Sequence, residues 1–108
     1  MLIRVVKMTF KPEAIPTFLQ LFEERKQLIK DFKGCMHVEL WQDQLHPHIF
    51  FTYSHWIDAV ALEHYRNSTF FADTWQQTKQ LFSNRAEAWS VNRVCITGQP
   101  LSLQPTLF

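Results

Sequence analysis

Three of the five histidines of this 108-residue chain fall within HPHIFFTYSHW, residues 46–56, beside four aromatic rings. Clustered imidazoles raise the question of a metal ion, and clustered rings that of a pocket for a flat ligand. Pro47 stands between His46 and His48, which puts that pair in a turn and removes the geometry that would aim both rings at one ion. His48 and His55 lie an odd number of residues apart, so a regular strand sends them to opposite faces. No metal site is expected from this segment. What remains is a strand with Phe50, Thr52, Ser54 and Trp56 on one face and Phe51, Tyr53 and His55 on the other, and either face could meet a ligand or a second subunit.

Four further groups could do chemistry. His37 shares a strand face with Glu39 and Trp41; a His–Glu pair can set a general base near neutral pH, and it can equally serve as an ion pair between subunits. Tyr65 falls on the inward side of a helix with Ala61 and Leu62, where its hydroxyl either makes one structural hydrogen bond or touches substrate. Its neighbour His64 points about 100° away around the helix, toward solvent. The stripe Phe71, Trp75, Thr78 and Phe82 is spaced for one helical face and offers either core or pocket wall, while Asn92 and Arg93 interrupt an otherwise apolar strand. The candidate catalytic groups are therefore Tyr65, Tyr53 and His37, and the candidate substrate contacts are Trp75, Phe71, His55 and Asn92. Cys35 and Cys95 match no paired-cysteine metal or redox spacing and are expected as buried free thiols, without a disulfide. Two glycines in all leave no phosphate-cradling loop, and no serine elbow or Cys–His arrangement is present, which argues against nucleotide and acyl-transfer chemistry.

The elements that must position these groups follow from periodicity. Residues 2–10 alternate as a strand. Residues 13–31 place Ile15, Phe18, Leu19, Phe22 and Ile29 at helical spacing, with Pro12 and Pro16 at the tolerant start. Cys35–Asp43 alternates with Met36, Val38 and Leu40 on the side expected to face the helices. Residues 48–56 are apolar on both faces and should be a central strand. Asp58 is expected as an N-cap or first-turn acid of a short helix that breaks near Asn67 and Ser68, a second helix starts at Thr69, and residues 86–96 alternate as a last strand. The order strand, helix, strand, strand, helix, strand is that of a ferredoxin-like α+β fold, βαββαβ, with a four-stranded antiparallel sheet and helices on one face. One domain is expected over 1–97, followed by an irregular tail over 98–108. The uncovered sheet face, with Trp41 on it, predicts a homodimer.

Composition narrows the partners. Hydrophobic residues make up 46% and charged residues 19%, so the chain should fold; a formal charge of +1 gives no reason to expect nucleic acid or an anionic membrane. Aromatic residues reach 15%, a surplus that suits a partner subunit or a small aromatic or apolar ligand. No stretch is long enough for a membrane span and the start is unlike a signal peptide, so the cytoplasm is the expected location.

The element order, together with RVVKMTFKPE, FKGCMHVEL, HIFFTYSHWIDAVALEHYRNSTFF and EAWSVNRV, resembles the antibiotic biosynthesis monooxygenase family, a branch of the dimeric α/β-barrel proteins, from about Ile3 to Val94. The resemblance implies that two subunits press their sheets together into a barrel, each keeping a pocket between sheet and helices. It implies oxidation of aromatic molecules by oxygen without metal, flavin or haem, because an electron-rich phenolate can itself hand an electron to oxygen if the protein binds the ring, stabilises the anion and excludes water. The expectation is a cofactor-independent monooxygenase acting on a small aromatic or quinone-like substrate; the alternative is a non-catalytic small-molecule-binding or stress-related dimer on the same barrel. A haem-degrading branch carries Asn, Trp and His where this chain has Val6, Tyr65 and Trp75. An isomerase branch acting on a phosphorylated signal product carries His at the place of Tyr65, and the sequence shows no basic cluster for a phosphate.

Overall fold

Alternating side chains make Leu2–Thr9 a strand, β1, and Pro12 then opens a single 3₁₀ turn, Pro12–Ala14, that leads into helix α1, Ile15–Lys30. The remaining elements are β2 (Cys35–Gln42), β3 (Ile49–Trp56), α2 (Ala59–Arg66), α3 (Thr69–Lys79) and β4 (Glu87–Val91). The structure is a computed structural model and describes residues 1–100. Most of the expected irregular tail therefore lies outside the described residues.

The strands form one antiparallel sheet in the order β2-β3-β1-β4. This is the ferredoxin-like α+β arrangement, with the expected strand β3 in the centre beside β1. The helices pack on one face. Both short helices carry side-chain caps: Asp58 accepts from the Ala61 amide at 2.8 Å and Ser68 from the Phe71 amide at 3.0 Å, satisfying amides that a helix start leaves without partners.

Beneath α1 lies a phenylalanine cluster. Met8, Phe10, Phe18 and Phe50 form its buried centre, with Phe10 and Phe18 stacked at 4.1 Å between ring centres. Burying such a ring is worth about 1.5–3 kcal/mol, which makes this end the anchor of the fold. Phe10 is fixed by its backbone as well, since its amide donates to the His48 carbonyl at 2.9 Å and it bridges to Phe82.

Glycine is required at Gly34. Its φ of 88° is left-handed, and a Cβ placed there would come within 2.4 Å of the Ala61 Cβ. The close approach, with the Gly34 carbonyl accepting from the Ile57 amide at 2.8 Å, seats α2 against the turn after α1 and so fixes where Tyr65 points.

Four details differ from the sequence expectation. Leu19 is 43% exposed, and Leu21 takes its place in the core. A bulge between Cys35 and His37 turns Met36 outward, leaving only Val38 and Leu40 of the apolar trio toward the helices. Strand β4 stops at Val91 rather than near residue 96, because Val91 already pairs with Ile3 and β1 has little chain beyond it to bond. Cys95, past that end, is an exposed thiol rather than a buried one, while Cys35 is half-buried.

Candidate functional site

The inner face of the sheet does not fill with side chains along its whole length. Next to the phenylalanine cluster, a cavity of about 300 Å³ opens between the sheet and the helices, floored by Val6, Thr52, Val38 and Ala88 and roofed by Leu62, Tyr65, Phe71 and Trp75. Its size is at the lower end of small-molecule pockets, which run from roughly 300 to 1,000 Å³. Space exists because the side chains that β4 and the residue before it give to the lining are small, Ala88 and Ala86.

Tyr65 is held by rings. It stacks on Trp56 at 4.9 Å and meets Phe32 and Phe71 edge-on at 5.2 and 5.1 Å. Burial pushes its hydroxyl above the ordinary phenol range, with the Cys35 thiol adding to the shift. The group therefore stays protonated near neutral pH and acts as a hydrogen-bond donor, not a base. Among the described residues neither the Tyr65 hydroxyl nor the Trp75 indole nitrogen has a partner. Phe71 and Trp75 lie nearly parallel, 8° apart with centres 6.0 Å apart, and give the roof a flat surface. Arg25 ties that roof to α1 by donating to Thr74 at 2.7 Å and Asp73 at 2.9 Å.

On the floor, Ser54 is buried and accepts from the Trp56 indole nitrogen at 3.0 Å. Arg4 stands on the same face of β1 as Val6 and Met8 and donates to Ser90 at 3.0 Å. Arg66, on the last turn of α2, also lines the cavity, and its charge is felt at Arg4. The sequence reading missed both arginines as site residues, along with Thr52 and Ser54. The signal for Arg4 was available, since a cation in phase with Val6 and Met8 must either be exposed or serve a buried site. Arg66 offered none, being 62 positions from Arg4.

The sequence candidates divide between the two faces. Tyr65, Phe71 and Trp75 line the cavity. Tyr53, His37 and His55 stand together on the opposite face, with His55 ring centres 4.8 Å from Tyr53 and 5.3 Å from His37. There Glu39 bonds His37 and also accepts from the Trp41 indole at 2.6 Å; these two hydrogen bonds hold its carboxyl below the usual carboxylate range. Trp41 stacks on Tyr53 at 4.5 Å. Burial, and then the Arg93 and His37 charges, lower the pKa of His55, whose Nε2 is buried without a partner among the described residues. Asn92 follows the end of β4 and is exposed.

No described cluster of three or more His, Cys, Asp or Glu could hold a metal ion, and the described cavity lining contains no imidazole. Val6, Tyr65 and Trp75, the three places that distinguish a haem-degrading site, all line the cavity, with no nitrogen ligand for iron among them. No described helix is long and apolar enough to cross a membrane.

A ferredoxin-like sheet with a ring-lined cavity under its helices and a bare aromatic face behind defines an α+β protein with room for a small molecule between its layers. The family model for antibiotic biosynthesis monooxygenase matches residues 1–78, and the chain belongs to that family. Among solved structures, the crystal structure of an antibiotic biosynthesis monooxygenase superposes with a TM-score of 0.82 at 23% identity, covering 88% of this chain and 100% of that one. A conserved protein from Methanosarcina mazei Go1 gives 0.80 at 22% identity, with 86% and 93% covered. The Pseudomonas aeruginosa protein PA3566 gives 0.76 at 21%, with 87% and 94% covered. At these identities the likeness is one of fold. No curated protein sequence matches the chain significantly.

Proposed function

We propose that this protein is a cofactor-independent monooxygenase that oxidises a small aromatic or quinone-like substrate, working as a cytoplasmic homodimer. The observation that carries the proposal is the open cavity of about 300 Å³ with Tyr65, Phe71 and Trp75 in its roof. A substrate ring fits against Phe71 and Trp75, and the phenolate oxygen accepts from the Tyr65 hydroxyl and the Trp75 indole, both protonated and otherwise unoccupied. Family membership supports the same reading.

The chemistry balances without a cofactor. A phenol with a free ring C–H gives up four electrons to O₂; one oxygen atom enters the ring as the new quinone carbonyl, and the other leaves as water with two protons from substrate. Donors aimed at the phenolate stabilise the charge that develops as the first electron leaves, and the walls of the cavity keep the reduced oxygen species beside the ring. Tyr53, His37 and His55, on the face away from the cavity, are assigned to the contact between subunits rather than to the oxidation, and exposed Asn92 borders that contact.

Purified, metal-free protein should consume oxygen with a panel of mono- and bicyclic phenols that carry a free ring C–H and release the matching quinones, with one O₂ consumed and one water formed per turnover. Ring binding without oxygen uptake across the panel would instead identify a non-catalytic small-molecule-binding dimer on the same fold.

A further inference from the structure

The cavity is not uniform along its length. At one end it abuts Met8 and Phe18 of the apolar cluster; at the other stand two guanidinium groups, Arg4 on the floor and Arg66 on the roof. They come from β1 and α2, which the sequence separates by 62 positions and the fold brings to one mouth. Each is close enough to be felt by the other, since the Arg66 charge depresses the pKa of Arg4, after burial as the leading cause.

Two like charges at one mouth are unfavourable unless something answers them. Arg4 has one side-chain partner among the described residues, the neutral Ser90 hydroxyl at 3.0 Å, and no carboxylate within ion-pairing distance. A guanidinium carries five N–H donors in a planar fork, so most of those on Arg4 point to no protein acceptor. The nearest acid is Glu63. It is largely exposed, pairs with Arg66 at 3.7 Å, and also accepts from Asn67 at 3.3 Å. Glu63 thus offsets one of the two charges from the rim and leaves the Arg4 guanidinium, which lines the cavity, without a carboxylate partner among the described residues.

Resting on the monooxygenase reading of the same cavity, we infer that its substrate is an aromatic acid, whose carboxylate docks at the Arg4–Arg66 mouth while its ring lies under Tyr65 and Trp75. A carboxylate matches the planar fork of arginine in two parallel hydrogen bonds. It would also fix orientation. With the acid group held at the mouth, the ring extends toward Thr52, Val6 and Trp75, and its far edge meets the apolar Met8 and Phe18, so one ring position is presented to the Tyr65 donor in every encounter.

The test uses 2-naphthoate, its neutral near-isostere 2-naphthamide, and 2-naphthol, titrated into the intact protein by calorimetry at low and high salt. 2-Naphthoate should bind at least tenfold more tightly than 2-naphthamide at low salt, with the preference shrinking as salt rises. Arg4→Gln should remove most of that preference while leaving 2-naphthamide affinity within about twofold, and Arg66→Gln, at a half-exposed position where refolding is not at issue, should reduce it further. Arg4→Lys, which keeps the charge and loses the fork, should recover part of it. Equal or tighter binding of 2-naphthamide overturns the inference and leaves the ring site standing. Failure of all three compounds to bind overturns both readings. A retained carboxylate preference with no oxygen uptake from any hydroxynaphthoate keeps the acid site and removes the monooxygenase.

Discussion

On the helix side of the sheet, Trp56 is 1% exposed and its indole nitrogen is bonded to Ser54; on the far side, Trp41 and Trp89 keep 40% and 45% of their surface, in a face that no element of the described chain covers. The inner face also holds the cavity, the two arginines and the Tyr65 hydroxyl, whereas the outer face holds the His37–Glu39 pair, Tyr53 and His55. Strand β3 serves both. Its Thr52, Ser54 and Trp56 line the cavity, while Phe51, Tyr53 and His55 stand on the outer face. The difference teaches that the groups which look most catalytic by type, the imidazoles, lie outside the cavity. The groups inside are donors that hold their protons. On the proposed reading, a site of that kind stabilises an anion and leaves electron transfer to the substrate.

The largest contrast between the faces should appear in stability. Phe10→Ala, in the dry end of the inner face, should cost about 3–5 kcal/mol in urea unfolding. Trp89→Ala, on the outer face, should cost the folded subunit little and instead weaken the dimer by about 2 kcal/mol, a loss read as a concentration-dependent shift in sedimentation. Comparable losses of subunit stability from both would erase the division.

A smaller contrast should appear in turnover. Tyr65→Phe keeps the ring stack on Trp56 and removes the donor, so the rate of oxygen consumption should fall about 10- to 100-fold, on the lower side of what a lost oxyanion donor costs. Tyr53→Phe should leave that rate within about twofold, since its ring stacks outside the cavity on Trp41.

The smallest effect concerns pH. His55 has its pKa lowered in the folded protein, so the unfolded chain binds the proton first as pH falls. Its contribution is therefore complete above the ordinary value of 6.5 and is lost as pH drops below it. Glu39, also lowered, keeps its contribution above its ordinary value of 4.5 and loses it below. The melting temperature should fall in two steps on acidification, and His55→Gln should remove the upper one while leaving the lower. An unchanged upper step would mean that His55 is not the group responsible.

Much of this architecture was legible in the sequence because period carries it. Alternation marks β1 through β4, the stripe from Phe18 to Ile29 marks α1, and Asp58 announces α2. What period cannot supply is which face is which. A period of two says only that Tyr53 and Thr52 diverge, and β3 is apolar both ways. The bulge at Cys35/His37 hides for a related reason, since one extra residue moves Met36 without any mark in composition. The cavity was illegible because it consists of what side chains leave unfilled, here beside Ala86 and Ala88. The arginine mouth was illegible because its two halves meet only through the fold.

The four tryptophans provide the most direct test, since two belong to each face. In an ¹H–¹⁵N spectrum of the labelled protein, titration with 2-naphthoate should shift the indole signals of Trp56 and Trp75 and leave those of Trp41 and Trp89 in place, because only the first two line the cavity. Ligand-induced shifts confined to Trp41 and Trp89 would contradict the account, placing the binding site on the face assigned here to the second subunit.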